Sequence, residues 1–84
     1  MLNLYTIYTM PNCPDCKSAK ELFIREGLSF IEVTEFTPAE LIEKVGPVRT
    51  LPQIIVKGSE TFHIGGYKDL LSYRKGELSP RKIG

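Results

Sequence analysis

The chain's two cysteines, Cys13 and Cys16, stand three residues apart with Pro14 and Asp15 between them. That spacing limits what the chain can fold into. A small disulfide-stapled scaffold spreads several bridges along its length. A Cys13–Cys16 bridge closes too short a loop to restrict the unfolded chain much. The fold must therefore rest on buried apolar surface, and 84 residues give room for a single domain, residues 1–84, with a modest core. With 42% hydrophobic and 25% charged residues, the composition is that of a folded globular protein rather than a disordered one.

Hydrophobic period and turn residues divide the chain into alternating elements. Leu2 to Thr9 reads as a first strand, rich in branched and aromatic side chains. A helix follows from about Cys13, with Pro14 in its first turn, where a missing N–H is no loss. Cys16, Ala19, Leu22 and Phe23 recur at helical spacing and mark its buried face, and Gly27 ends it. Leu28 to Val33 is a second strand, parallel to the first because a helix joins them. Thr37-Pro38-Ala39-Glu40 is a capping box that opens a short helix stopping near Gly46. Gln53 to Lys57 and Glu60 to Ile64 form a hairpin across a two-residue Gly58-Ser59 turn. A last helix, about Tyr67 to Lys75, turns Tyr67, Leu70 and Leu71 inward, and residues 79–84 with Pro80 read as a tail.

Charge and hydropathy exclude several classes. The net charge is +1, too near neutral to argue for nucleic acid. Residues 1–44 carry four basic and seven acidic groups (−3), and residues 45–84 seven basic and three acidic (+4). The positive second half suits a small anion, although scattered solvated charge gives the same sum. There is no apolar run of about 18 residues to cross a membrane, and residues 1–10 lack the basic start and apolar length of a signal peptide. The chain reads as cytoplasmic.

Cys13 falls at the mouth of the first helix, where unpaired N–H groups and the macrodipole favour negative charge. Disulfide exchange needs a thiolate and a second thiol to resolve the mixed disulfide. Cys16, one turn further on and on the buried face, supplies the second. Lys17 and Lys20 add positive potential, while Asp15 opposes it. A structural zinc site would need two further ligands, and the chain offers one histidine, His63, and no other cysteine. His63 itself reads as a structural mid-strand histidine, with an acid–base role as the alternative.

Two further stretches carry chemistry. In Thr50-Leu51-Pro52, the proline opens a strand and suits either an ordinary trans bond or a cis bond. A cis bond would turn the Leu51 backbone toward Cys13, where an extended substrate could pair with it. In Gly65-Gly66-Tyr67-Lys68-Asp69, the glycines free the first N–H groups of a helix. Asp69 can cap that helix or receive a substrate ammonium, and the pattern alone favours capping.

Taken together, Tyr8-Thr9, Cys13-Pro14-Asp15-Cys16, Thr50-Leu51-Pro52-Gln53-Ile54 and His63-Ile64-Gly65-Gly66-Tyr67-Lys68-Asp69-Leu70 resemble the glutaredoxin family, over about Leu2 to Leu78. The resemblance implies an α/β, thioredoxin-like fold with a four-stranded mixed sheet flanked by three helices, in the order β-α-β-α-β-β-α. It implies a cis Leu51–Pro52 bond, and catalysis by Cys13 as nucleophile and Cys16 as resolving thiol. It also implies glutathione as reductant, with Arg49 facing its glycine carboxylate and Leu51, beside Pro52 and Thr50, bonding its cysteinyl backbone. Gly66, Tyr67, Lys68 and Asp69 would meet its γ-glutamyl end. The implied protein is a monomer acting on disulfide-containing clients such as ribonucleotide reductase, without metal, nucleic acid or membrane. Asp15 stands in place of the family's usual tyrosine, Met10 where many members carry lysine, and Lys68 where serine or aspartate is common; all three bear on glutathione affinity. Two alternatives remain: a carrier reduced by thioredoxin reductase, and a [2Fe–2S] cluster shared by two chains with glutathione, which Pro14 disfavours by stiffening the loop.

Overall fold

The computed structural model describes residues 3–84. Eight elements follow in chain order: β1 (Leu4–Tyr8), α1 (Pro14–Arg25), β2 (Phe30–Val33), α2 (Pro38–Val45), β3 (Gln53–Lys57), β4 (Thr61–Gly65), α3 (Tyr67–Arg74) and β5 (Arg81–Ile83). The strands form one sheet in the order β2-β1-β3-β4-β5. β1 and β2 run parallel and the other pairs antiparallel. The first expected strand also included Leu2, which lies outside the described residues.

Side-chain alternation divides the core between the two sheet faces. On one face Tyr5 and Ile7 of β1 and Ile54 and Val56 of β3 pack with Ala19, Leu22 and Phe23 of α1 and Leu70 of α3. On the other, Tyr8 and Ile55 pack with Leu41 and Val45 of α2. β3 lies at the centre, covered on both faces, and so reads as a continuous apolar run, Ile54-Ile55-Val56, rather than an alternating one. Phe23 holds the first face together: its ring lies 4.9 Å from Tyr5 and 5.0 Å from Phe30, centroid to centroid.

The helix ends follow their sequence signals. The Thr37 hydroxyl accepts from the Glu40 N–H at 3.1 Å while the Glu40 carboxylate accepts from the Thr37 N–H at 2.7 Å, the reciprocal pair that a capping box requires. At the end of α1, Gly27 takes φ +66°, a conformation costly for any residue with a Cβ. This lets the Leu28 N–H reach the Phe23 carbonyl at 2.8 Å and the Gly27 N–H the Ile24 carbonyl at 3.2 Å.

Two expectations are corrected. The sheet has five strands rather than four, because Arg81–Ile83, read as tail, pairs antiparallel with β4 through Thr61, Phe62 and His63. A three-residue strand with two basic side chains shows no readable period; what fixes it is tertiary, the packing of Ile83 against the α2-side core. The β3–β4 connection spans three residues, Gly58 to Glu60, not two, so β4 begins at Thr61. Lys57 then faces Thr61 across the hairpin.

Candidate active site

β1, an interior strand of the sheet, ends at Tyr8, and residues 9–13 carry the chain into α1. Asn12 takes φ +58°, a left-handed turn that Asn tolerates because its short side chain bonds locally. The turn delivers Cys13 to the N-cap of α1 with Pro14 at the first helical position. Cys13 Sγ accepts from the Cys16 N–H at 3.2 Å, so the sulfur occupies the place of a capping oxygen. The two cysteines are joined as a disulfide, their Cα atoms 5.2 Å apart. They differ in access: Cys16 is 2% exposed among the core residues, whereas Cys13 is half-buried. An approaching sulfur therefore meets Cys13 first. Once reduced, the thiolate at Cys13 would lie in the field of the helix N-terminus, which favours the anion.

The Leu51–Pro52 bond is cis, and the Leu51 carbonyl oxygen lies 3.6 Å from Cys13 Sγ. The loop before β3 thus presents backbone directly beside the reactive sulfur. Two openings flank this point. A cleft of about 590 Å³ is lined by Pro11, Cys13, Cys16, Lys17 and Lys20. A groove of about 510 Å³, mostly apolar, runs along Phe36, Ile42, Val48, Arg49 and Leu51, with Thr50 also on its wall. Met10, half of it exposed, borders both.

The residues expected at the glutathione end fall into two groups. Arg49, Thr50 and Leu51 share the groove wall. At the start of α3, Gly66 comes against the loop: a Cβ there would sit 3.6 Å from the Pro52 carbonyl oxygen. A register irregularity between Ile54 and Ile55 turns Gly65 toward the helix start, where a side chain would overlap the Asp69 carboxylate. That carboxylate accepts from the Gly66 N–H at 3.0 Å, so Asp69 caps its own helix, as the pattern favoured. Tyr67 packs against the α1-side core, and Lys68 is exposed.

The sequence reading missed a polar triad behind the cleft. Lys20 Nζ lies 2.9 Å from Glu32 Oε2 on the edge strand β2. The buried Thr9 hydroxyl donates to the same oxygen at 2.6 Å. Glu32 is eleven residues beyond Glu21 on a strand with no motif, so its only signal is the β1–β2 register that sets it beside Ile7. The Thr9 hydroxyl first, and Lys20 after it, hold the Glu32 carboxyl below its ordinary 4.5. A carboxyl held low in the folded state adds stability at pH values above 4.5 and loses it as pH falls through the lowered folded value. Wild type should therefore exceed Glu32→Gln in stability at pH 7, by less than about 1 kcal/mol for so exposed a pair. The difference should shrink as pH falls through the lowered folded value, as followed by urea melts at a series of falling pH values.

Among the described residues, no group of three or more His, Cys, Asp or Glu side chains is placed to hold a metal ion. No helix among them is long and apolar enough to cross a membrane.

Residues 5–60 match the family model described as Glutaredoxin. The chain is 44% identical over 77 residues to the glutaredoxin of Pseudomonas aeruginosa, covering 86% of this chain and 87% of that protein. It is 38% identical over 79 residues to glutaredoxin 3 of Escherichia coli, covering 88% and 90%. The three-dimensional structure of reduced Escherichia coli glutaredoxin superimposes with a TM-score of 0.70 at 29% identity, over 89% of this chain and 96% of that one.

Proposed function

Because the chain belongs to the glutaredoxin family of thiol–disulfide oxidoreductases, we propose that it reduces protein disulfides and glutathione mixed disulfides with glutathione as electron donor, Cys13 attacking and Cys16 resolving. The observation that carries this reading is the half-buried Cys13 sulfur at the N-cap of α1, bonded by the Cys16 N–H and faced by the Leu51 carbonyl. In the reduced protein the Cys13 thiolate attacks one sulfur of a client disulfide. A Cys13–client bond forms, the client's own bond breaks, and one client thiolate departs and takes up a proton. Cys16 then gives up its proton and attacks Cys13 Sγ, releasing the second client thiol and leaving the Cys13–Cys16 bridge. Two electrons have moved to the client. One glutathione thiolate next attacks Cys13 Sγ and frees Cys16, and a second attacks the bound glutathione's sulfur, so that oxidised glutathione leaves and Cys13 is a thiolate again.

The Leu51 backbone would pair with the cysteinyl unit of the bound peptide, beside Pro52 and Thr50, as a strand pairs with an edge. Arg49 supplies a positive charge for a terminal carboxylate, and Gly66 and Lys68 supply backbone and charge at the opposite end. The clients are cytoplasmic enzymes that carry a catalytic disulfide, such as ribonucleotide reductase, met by a monomeric protein.

Cys16→Ser tests the division of labour. The variant should keep reducing a glutathionylated peptide, a reaction that needs Cys13 alone, and lose reduction of an intramolecular protein disulfide to background. Equal loss of both activities would contradict the assigned roles.

Two observations favour a second reading of the electron donor. Met10 stands at the junction of the two openings, where a lysine would attract glutathione, and the Asp69 carboxylate is engaged by the Gly66 N–H. Thioredoxin reductase would then supply the electrons. Feeding the same protein from glutathione with its reductase, and separately from thioredoxin reductase, decides the matter; turnover with the second system alone overturns the glutathione assignment.

A further inference from the structure

Behind the loop that faces Cys13, a chain of polar contacts crosses the sheet on its α2 side. Gln53, the first residue of β3, is 4% exposed, and its Nε2 donates to the Thr50 carbonyl at 2.9 Å. A carbonyl can only accept, so that end of the side chain is the amide nitrogen and the other is the oxygen. Gln53 Oε1 lies 2.7 Å from His63 Nε2 in β4. An amide oxygen can only accept as well, so Nε2 of His63 carries the hydrogen and the ring's Nδ1, in the neutral form, is bare. Facing Nδ1 at 3.5 Å is Nη2 of Arg81, the first residue of β5. The same nitrogen also donates to the carbonyl of Val45, one of the last in α2 and without a partner inside the helix. Each contact thus fixes the polarity of the next, from β5 to the loop. Burial first, and the Arg81 charge second, lower the His63 pKa from its ordinary 6.5, with Asp69 opposing, so the ring is neutral as this polarity requires.

Thr50 precedes the residue whose backbone faces the reactive sulfur. It lies in the segment 46–52, which has no helix or strand of its own. We propose that His63 is a positioning residue for disulfide exchange: through Gln53 it holds the Thr50 carbonyl, and so fixes the Leu51 backbone against which a substrate strand docks beside Cys13. The proposal rests on the reading of Cys13 as the attacking sulfur and Leu51 as the docking backbone. Without the His63 donor, the buried Gln53 oxygen is left unsatisfied and its amide is free to turn away from Thr50. Substrate then meets a loop that must be ordered on binding, which weakens docking while leaving the Cys13 sulfur and the helix field around it unchanged.

The test uses the full chain, reduced beforehand and freed of reductant, mixed with excess of a fluorogenic peptide disulfide in a stopped-flow instrument, so that no glutathione is needed. His63→Leu should raise the peptide concentration giving half the limiting rate about 5-fold, the effect of one lost hydrogen bond, with the limiting rate itself unchanged. His63→Gln, whose amide nitrogen can donate from near the Nε2 position, should return it to within about twofold of wild type. Nitrogen NMR of the wild-type imidazole should show the Nε2-protonated tautomer at pH 7. Half-saturation unchanged in His63→Leu, a His63→Gln variant no better than His63→Leu, or the opposite tautomer overturns the proposal. Should His63→Leu fail to fold, His63→Asn, whose amide is too short to reach Gln53, takes its place with the same two outcomes. A wild-type protein that reduces no peptide overturns the premise about Cys13 and, with it, this proposal.

Discussion

Cys13→Ser should reduce every disulfide-exchange activity of the chain to background, a loss on the order of 10³-fold or more, as when a covalent nucleophile is removed. A serine hydroxyl at the α1 N-cap would still accept the Cys16 N–H, so the helix start survives. What disappears is an atom able to ionise near neutral pH and to form a bond to sulfur. Cys16 cannot substitute, because it is 2% exposed and lies one turn inside the helix. The measurement is reduction of a peptide disulfide and of a glutathionylated peptide by the variant, with its helical circular dichroism compared with wild type. Residual exchange within tenfold of wild type would mean that Cys16 can attack directly, and that its burial does not exclude substrate.

The second large effect is on stability. Phe23→Ala should cost about 3–5 kcal/mol, the range for deleting a buried aromatic ring. Phe23 is fully buried and its ring contacts those of Tyr5 and Phe30, so its loss opens a cavity between α1 and both β1 and β2. A domain of this size has a total stability of about 5–15 kcal/mol, so the variant should stand near the edge of unfolding at 37 °C. Urea denaturation at 25 °C checks this through a large fall in midpoint at unchanged slope. A cost below about 1 kcal/mol would mean that neighbouring side chains collapse into the space, and that the α1-side core is less closely packed than its burial indicates.

Much of the molecule was legible because local signals and tertiary packing agree. The helical spacing of Cys16, Ala19, Leu22 and Phe23 names the four residues that α1 buries. The run Gln53 to Lys57 is β3 in full, and Thr37 with Glu40 forms the reciprocal cap. The parallel pairing of β1 and β2 followed from the helix between them. Where the reading fell short, the deciding force acts at a distance along the chain. β5 has three residues and owes its place to pairing with β4 and to the packing of a partly buried Ile83 against the α2-side core. The bond before Pro52 was open on sequence alone, and the family resemblance decided it correctly for cis. Glu32 carries no motif; it reaches Thr9 and Lys20 through strand register and helix placement together. His63 was read as structural, and its bond to Gln53 gives that reading a partner that no spacing could supply.

Disulfide exchange at this site depends on the sulfur of Cys13 being an anion near neutral pH in the reduced protein. Following thiolate absorbance, or the rate of alkylation by a neutral reagent, against pH measures this directly. Cys13 should be half-ionised clearly below the value of about 8.5 for free cysteine, with the first equivalent of reagent consumed at Cys13 alone. Half-ionisation at or above that value, or first reaction at Cys16, would contradict it.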